Sequence, residues 1–136
     1  MTVSDCKIIQ LPRIADTRGK LSFIESHDHV PFDIKRIYYL YDMPPDAERG
    51  AHGHKKLEQL IVPLAGSFDI CFDDGYHKKS YRLENPWEGV YVAPMIWREL
   101  KNFSSGAICL VLASEHYDEQ DYFRNYHEFL HAAGTQ

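Results

Sequence analysis

The sequence predicts a mainly β domain, an antiparallel sandwich or barrel closed by one C-terminal helix. Three observations point there. Short runs rich in β-branched and aromatic residues recur through residues 1–118. Turn-forming residues separate them every ~8–12 positions, the spacing of antiparallel sandwiches and barrels. The last stretch, residues 119–136, changes period: Tyr122, Phe123, Tyr126, Phe129 and Leu130 recur at helical spacing.

In order along the chain, Cys6–Leu11 and Lys20–Glu25 read as strands on either side of the turn Asp16-Thr17-Arg18-Gly19. Ile34–Tyr41 reads as a strand, and Pro44-Pro45-Asp46 then breaks the chain. Leu57–Leu64 leads to Gly66. Ser67–Phe72 and Tyr76–Leu83 flank Asp73-Asp74-Gly75, a hairpin signal. Gly89–Ala93, Trp97–Leu100 and Ala107–Ala113 follow the turn Asn85-Pro86. The tail predicts one amphipathic helix from about Glu119 to Ala133. Asp118 can cap its start, Asp121 sits in its first turn and Gly134 can end it. Its aromatic stripe is the kind of surface that packs on a β domain.

Composition sets limits. A chain of 136 residues, 44% apolar, is one domain with one core. Its net charge of −5 argues against a nucleic-acid module, which needs a basic face. No apolar run is long enough to span a bilayer, and Met1–Gln10 lacks the pattern of a secretory signal. Cys6, Cys71 and Cys109 are odd in number and far apart, as expected of reduced thiols in a cytoplasmic protein. Without a secretory signal, the acceptor pattern Asn102-Phe103-Ser104 carries no weight.

One stretch organises the chemistry: Arg49-Gly50-Ala51-His52-Gly53-His54-Lys55-Lys56-Leu57-Glu58-Gln59. In an extended chain alternate side chains share a face, so His52 and His54 project together. The bland alternative is two surface histidines beside a solvated lysine pair.

The pattern Gly50…His52-x-His54…Gly66, with the later Pro94-centred turn, resembles the two motifs of the cupin family, a small β-barrel of jelly-roll type. Cupins usually hold a metal with two histidines and a carboxylate from the first motif and a third histidine from the second. Counted back from Gly66, the carboxylate position here falls on Gln59, with Glu58 one residue away. The second-motif histidine position falls on Arg98. A guanidinium where a divalent ion should sit costs roughly 4 kcal/mol per charge pair at about 4 Å and an effective dielectric of 20. A neutral amide also replaces a carboxylate poorly as a ligand. No metal and no other cofactor is expected.

Asp16-Thr17-Arg18-Gly19 and Arg49-Gly50-Ala51-His52 resemble signatures of the dTDP-sugar 3,5-epimerases, metal-free cupins in which the histidine is the base. The closer resemblance is to their relatives, the dTDP-4-keto-6-deoxyglucose 3,4-ketoisomerases. It runs through Ile34–Tyr39, Arg49–Gln59, Pro94-x-x-Trp97 and Leu112–Tyr122, nearly the whole chain. It implies catalysis by His52 and His54 on a dTDP-linked keto-sugar, and a homodimer with exchanged strands. The product would feed synthesis of an unusual deoxysugar for surface glycans or antibiotics.

The remaining candidates carry two readings each. Arg18 and Arg49 flank glycines in turns; either they are solvated or their forks grip a diphosphate. Tyr38 and Tyr39 point to opposite faces, so one at most faces a cavity. Trp97 suits stacking on thymine or sugar, or simple packing. Glu58, Gln59 and Arg98 complete the expected substrate wall. Other readings remain: a 3,5-epimerase, a non-catalytic nucleotide-sugar-binding cupin, and a metal-dependent cupin oxygenase.

Overall fold

A computed structural model describes residues 1–135, which leaves Gln136, the last residue of the expected tail, outside the described part. Its strands are β1 (Lys7–Gln10), β2 (Arg13–Asp16), β3 (Gly19–Ser22), β4 (Arg36–Leu40), β5 (Arg49–His54) and β6 (Gln59–Ala65). They continue as β7 (Phe68–Asp73), β8 (Lys78–Leu83), β9 (Glu88–Val92), β10 (Trp97–Lys101), β11 (Ile108–Ala113) and β12 (Tyr122–Phe123). One α-helix, α1 (Tyr126–Ala133), ends the fold.

Ten of these strands form two five-stranded sheets, ordered β1-β9-β6-β11-β4 and β12-β5-β10-β7-β8. Every strand pair is antiparallel. The sheets face each other over a core drawn from both. Ile61, Val90, Val92, Cys109 and Val111 come from the first, and Phe68, Ile70, Phe72 and Leu100 from the second. Burying side chains of this kind contributes on the order of 1.5–3 kcal/mol each. This two-layer, jelly-roll arrangement is the mainly β fold with one C-terminal helix that the sequence predicts.

The hairpin β7–β8 forms at Asp73-Asp74-Gly75 as expected. Asp73 Oδ1 accepts from the Gly75 amide at 2.7 Å, and Asp74 Oδ1 accepts from Tyr76 and His77 at 2.8 and 2.7 Å. Gly75 sits at φ +92°, where a β-carbon is penalised.

Two elements depart from the sequence reading. The segment before the first turn, Arg13–Asp16, is a strand in its own right. It pairs with β3 from Arg13↔Ser22 to Asp16↔Gly19, giving a separate two-stranded ribbon. The expected helix from Glu119 is shorter and starts later. Asp118 caps only a 3₁₀ turn, Glu119–Asp121, by accepting from the Gln120 amide at 3.0 Å. Tyr122 and Phe123 then pair with His54 and Gly53 of β5. The helix begins after Asn125, whose side chain accepts from the Glu128 amide at 3.0 Å, and it ends at Gly134 with φ +89°. Pairing with a free strand edge outweighs local helix propensity here. The aromatic stripe survives the change, because Phe123 and Phe129 still pack together with Trp97.

Candidate active site

Strand alternation builds the site. On β5, His52 and His54 share one face, and the register against β10 shifts between His52 and Arg49, where Gly50 lies at φ +72°; on β10, Arg98 shares a face with Leu100; on β4, Arg36 and Tyr38 turn inward. Between them lies a cavity of about 440 Å³, lined by Arg36, Tyr38, Arg49, His52, Gln59, Arg98, Tyr122 and Arg124 among others. Gly50 admits a neighbour closely: a β-carbon there would stand 2.6 Å from Leu100 Cδ1.

Arg98 and His52 are direct partners across the β10–β5 pair. Arg98 is 1% exposed. Its Nη1 donates to Gln59 Oε1 at 2.7 Å and its Nε to the Ile96 carbonyl at 3.2 Å. The Gln59 amide in turn donates to the Tyr38 hydroxyl at 2.9 Å. Burial lowers the Arg98 pKa to about 10, which still leaves a cation at neutral pH. The two positions that depart from a metal-ligand set are thus hydrogen-bonded to each other. That donor set does not fit a divalent ion, and no cluster of three or more His, Cys, Asp or Glu able to hold one occurs among the described residues.

His52 and His54 meet edge to face, with ring centroids 4.8 Å apart, and Tyr122 packs on both at 5.2 and 4.3 Å. Burial first, then the Arg98 charge, pushes the His52 pKa down to about 3. His54 is driven down further by burial, Arg98 and His52. Both imidazoles are therefore neutral at physiological pH. His54 lies 3.2 Å from Asp121 through Nδ1. With the imidazole neutral, this contact is a hydrogen bond to a carboxylate, not an ion pair. Among the described residues, four buried side-chain nitrogens lack a protein partner: His52 Nε2, His54 Nε2, Arg98 Nη2 and Arg36 Nε. All four belong to this one region. Orphaned buried polar atoms cost about 1–3 kcal/mol each, so their concentration marks a place where a ligand supplies the missing bonds.

The structure brings together His52, Gln59, Arg98, Tyr38 and Arg49, with His54 immediately behind His52. It separates four other candidates. Tyr39 faces outward, 60% exposed, against Tyr41. Glu58 turns to the other side of β6 and accepts from the Tyr91 hydroxyl at 2.5 Å. Trp97 alternates away from Arg98 and packs against Tyr126 and Phe129. Arg18 stands at the tip of the β2–β3 ribbon, 88% exposed and paired with Asp16 at 2.7 Å.

Four residues of the site escaped the sequence reading: Arg36, Asp121, Tyr122 and Arg124. Arg36 lies 5.2 Å over the Tyr38 ring and 5.7 Å from that of Tyr117. Arg124 sits 4.0 Å over Tyr122 and is held by Glu119 through two bonds of 2.7 Å. The tail was read as one helix, which hid the last three. Arg36 lies inside the stretch Ile34–Tyr39 that carries the family resemblance, but nothing in that stretch singles it out as a site residue.

Comparisons with known proteins show the family and the fold. Residues 4–134 match the family described as FdtA, WxcM-like, C-terminal. A TDP-4-oxo-6-deoxy-α-D-glucose-3,4-oxoisomerase of Aneurinibacillus thermoaerophilus is 46% identical over 123 residues, 90% of this chain and 88% of that protein. The structure of a 3,4-ketoisomerase from Helicobacter canadensis superposes with a TM-score of 0.92 at 46% identity, covering 95% of this chain and 97% of that one. A sugar 3,4-ketoisomerase from Thermoanaerobacterium thermosaccharolyticum in complex with TDP gives 0.92 at 43% identity, covering 94% and 93%. The fold alone extends further, to an rmlC epimerase of Mycobacterium tuberculosis with a TM-score of 0.76 at 15% identity, covering 90% and 69%.

Proposed function

Because the chain belongs to the FdtA, WxcM-like C-terminal family, we propose that it is a sugar 3,4-ketoisomerase acting on TDP-4-keto-6-deoxyglucose. One observation carries the reading: a neutral imidazole, His52, with an unpartnered Nε2, lines the cavity directly opposite a buried arginine. That is the equipment for moving a proton next to a ketone.

The reaction balances within the substrate. His52 takes the hydrogen from carbon 3 as a proton, and the released electron pair forms the carbon 3–carbon 4 double bond of an enediol. The electrons reach oxygen 4, which becomes an enediolate oxygen. His54 takes the hydroxyl proton from oxygen 3 and delivers it to oxygen 4. The ketone then forms at carbon 3 as His52 returns its proton to carbon 4. No outside oxidant or reductant enters. Arg98, held by Gln59, supplies fixed positive charge beside the developing enediolate. Tyr38 and the cavity wall position the sugar, and Arg49 grips the diphosphate.

The active form is a homodimer with exchanged strands. The β2–β3 ribbon supports this, since every residue of both strands is exposed, Ile14 and Leu21 by 57% and 56%. So does the edge strand β4, whose outer face shows Ile37 and Tyr39. An exchanged ribbon would carry Arg18 to the other copy's cavity. Three unpaired cysteines are in keeping with a cytoplasmic enzyme, and no helix among the described residues is long and apolar enough to cross a membrane.

The test is NMR of TDP-4-keto-6-deoxyglucose with the protein in deuterium oxide. The expected result is a ketone at carbon 3 with deuterium at carbon 4. A ketone that stays at carbon 4 with inverted neighbours would replace this reading by an epimerase.

A further inference from the structure

The buried carboxylate of Asp121 has no part in the steps above, and its bonds are unusually complete. Asp121 is 6% exposed. It lies on the 3₁₀ turn that precedes β12. Its Oδ1 accepts from the Lys56 amide at 2.9 Å, and its Oδ2 from the Leu57 amide at 3.2 Å. Its own backbone carbonyl accepts from the Lys55 amide at 2.9 Å. The loop between β5 and β6 therefore wraps this side chain, and Oδ2 is left facing His54 Nδ1 at 3.2 Å.

A carboxylate only accepts hydrogen bonds, so His54 must donate. The proton of the neutral ring then resides on Nδ1, and Nε2 keeps its lone pair. That nitrogen is buried and has no protein partner. Resting on the isomerase reading, we propose that Asp121 is a positioning residue that fixes His54 in the Nδ1–H tautomer, leaving Nε2 as the base that collects the substrate's oxygen-bound proton. The opposite tautomer would present an N–H where a lone pair is needed. It would also set the Nδ1 lone pair against the carboxylate. The same turn delivers Tyr122, whose ring packs on both histidines, so one segment sets ring orientation and proton placement together.

The proposal is read first on the unmodified protein. Nitrogen-15 NMR of the imidazoles should show His54 protonated at Nδ1 and bare at Nε2. A proton at Nε2 overturns the proposal, whatever any variant does. Asp121→Asn should lower kcat by about 10²- to 10⁴-fold. Its affinity for TDP should change by less than about two-fold. Deuterium exchange at carbon 3 should persist, because His52 is untouched; loss of exchange together with TDP binding would reduce Asp121 to a structural part. If Asp121→Asn does not fold, the tautomer measured in the unmodified protein decides alone. If that tautomer is found but the unmodified protein leaves the TDP-keto-sugar unchanged, the isomerase reading falls while the placement of His54 by Asp121 stands.

Discussion

Arg98 stands directly opposite His52 on the antiparallel pair β10–β5, and its guanidinium is tied to Gln59 at 2.7 Å. A permanent charge is thus fixed beside the imidazole to which we assign the carbon-bound proton. Burial first, and then this charge, keep that imidazole neutral, which a base requires; the charge also favours negative charge on sugar oxygens. If Arg98 faces the bound sugar, its fixed position would bear on which face of carbon 4 is reprotonated. Arg98→His replaces a long cation by a short ring, and should lower kcat by about 10²-fold or more. It should also change the ratio of products epimeric at carbon 4. Unchanged rate and stereochemistry, read by proton NMR of the products, would make Arg98 a packing residue.

Turnover should not depend on a metal. The positions of the missing ligands hold Gln59 and Arg98, and bringing a divalent ion near that guanidinium is unfavourable. Chelator treatment is expected to leave kcat within about two-fold of the untreated protein. A stoichiometric metal in elemental analysis, with activity lost on its removal, would contradict this.

Arg49→Ala should weaken TDP binding by about 1.5–3 kcal/mol, the usual worth of a hydrogen bond to a charged group. Arg18→Ala should do so only where ribbons are exchanged, because within one chain Arg18 is 88% exposed and paired with Asp16. Calorimetry with TDP, alongside light scattering for mass, separates the cases. A monomer in which Arg18→Ala still weakens binding would break the link to exchange.

Most of the architecture was legible because alternation and turn chemistry are local. Asp73-Asp74-Gly75 announces its hairpin, and the His-x-His spacing places both rings on one face. The tail was not legible, because helical spacing and a short strand followed by a helix can display the same aromatic residues. Only the free edge of β5, a feature of the folded sheet, decides that Tyr122 and Phe123 pair with it. Asp121 was hidden for that reason. Within the site, Tyr38 and Tyr39 were known to part company but not which way. The choice depends on how β4 lies on β11, where Val111 partners Tyr38 and Leu110 partners Tyr39. Trp97 and Glu58 fell on the wrong side because each is one alternation away from a true lining residue, Arg98 and Gln59.

Stability should fall with acid in a window set by the histidines. The folded pKa of His52 is lowered to about 3 from an ordinary 6.5. Above 6.5, both folded and unfolded chains hold it neutral. As the pH drops below 6.5, the unfolded chain takes up a proton that the folded one refuses until about pH 3. The slope for one such group approaches ~1.4 kcal/mol per pH unit. His52→Asn should therefore flatten the dependence of unfolding free energy on pH between 6 and 4 by up to that amount. Parallel curves for the variant and the unmodified protein, from urea titrations, would show that His52 is not held neutral.

The last prediction divides the labour between the two histidines. His52 lines the cavity, whereas His54 is 1% exposed and sits behind it against Asp121 and Tyr122. The more accessible ring is the better placed to reach a carbon-bound hydrogen, and the buried one is suited to a proton passed between oxygens. Each role is worth about 10²- to 10⁴-fold in rate. His52→Asn and His54→Asn should both lose at least that much while still binding TDP. They should differ in isotope exchange. Without His52, deuterium should no longer enter at carbon 3, because His52 is the imidazole that lines the cavity. Without His54, slow exchange should persist without net isomerisation, because the carbon-bound proton can leave and return while the oxygens stay unmatched. Exchange retained in His52→Asn and abolished in His54→Asn would reverse the two roles. Full turnover in either variant would remove that residue from the mechanism.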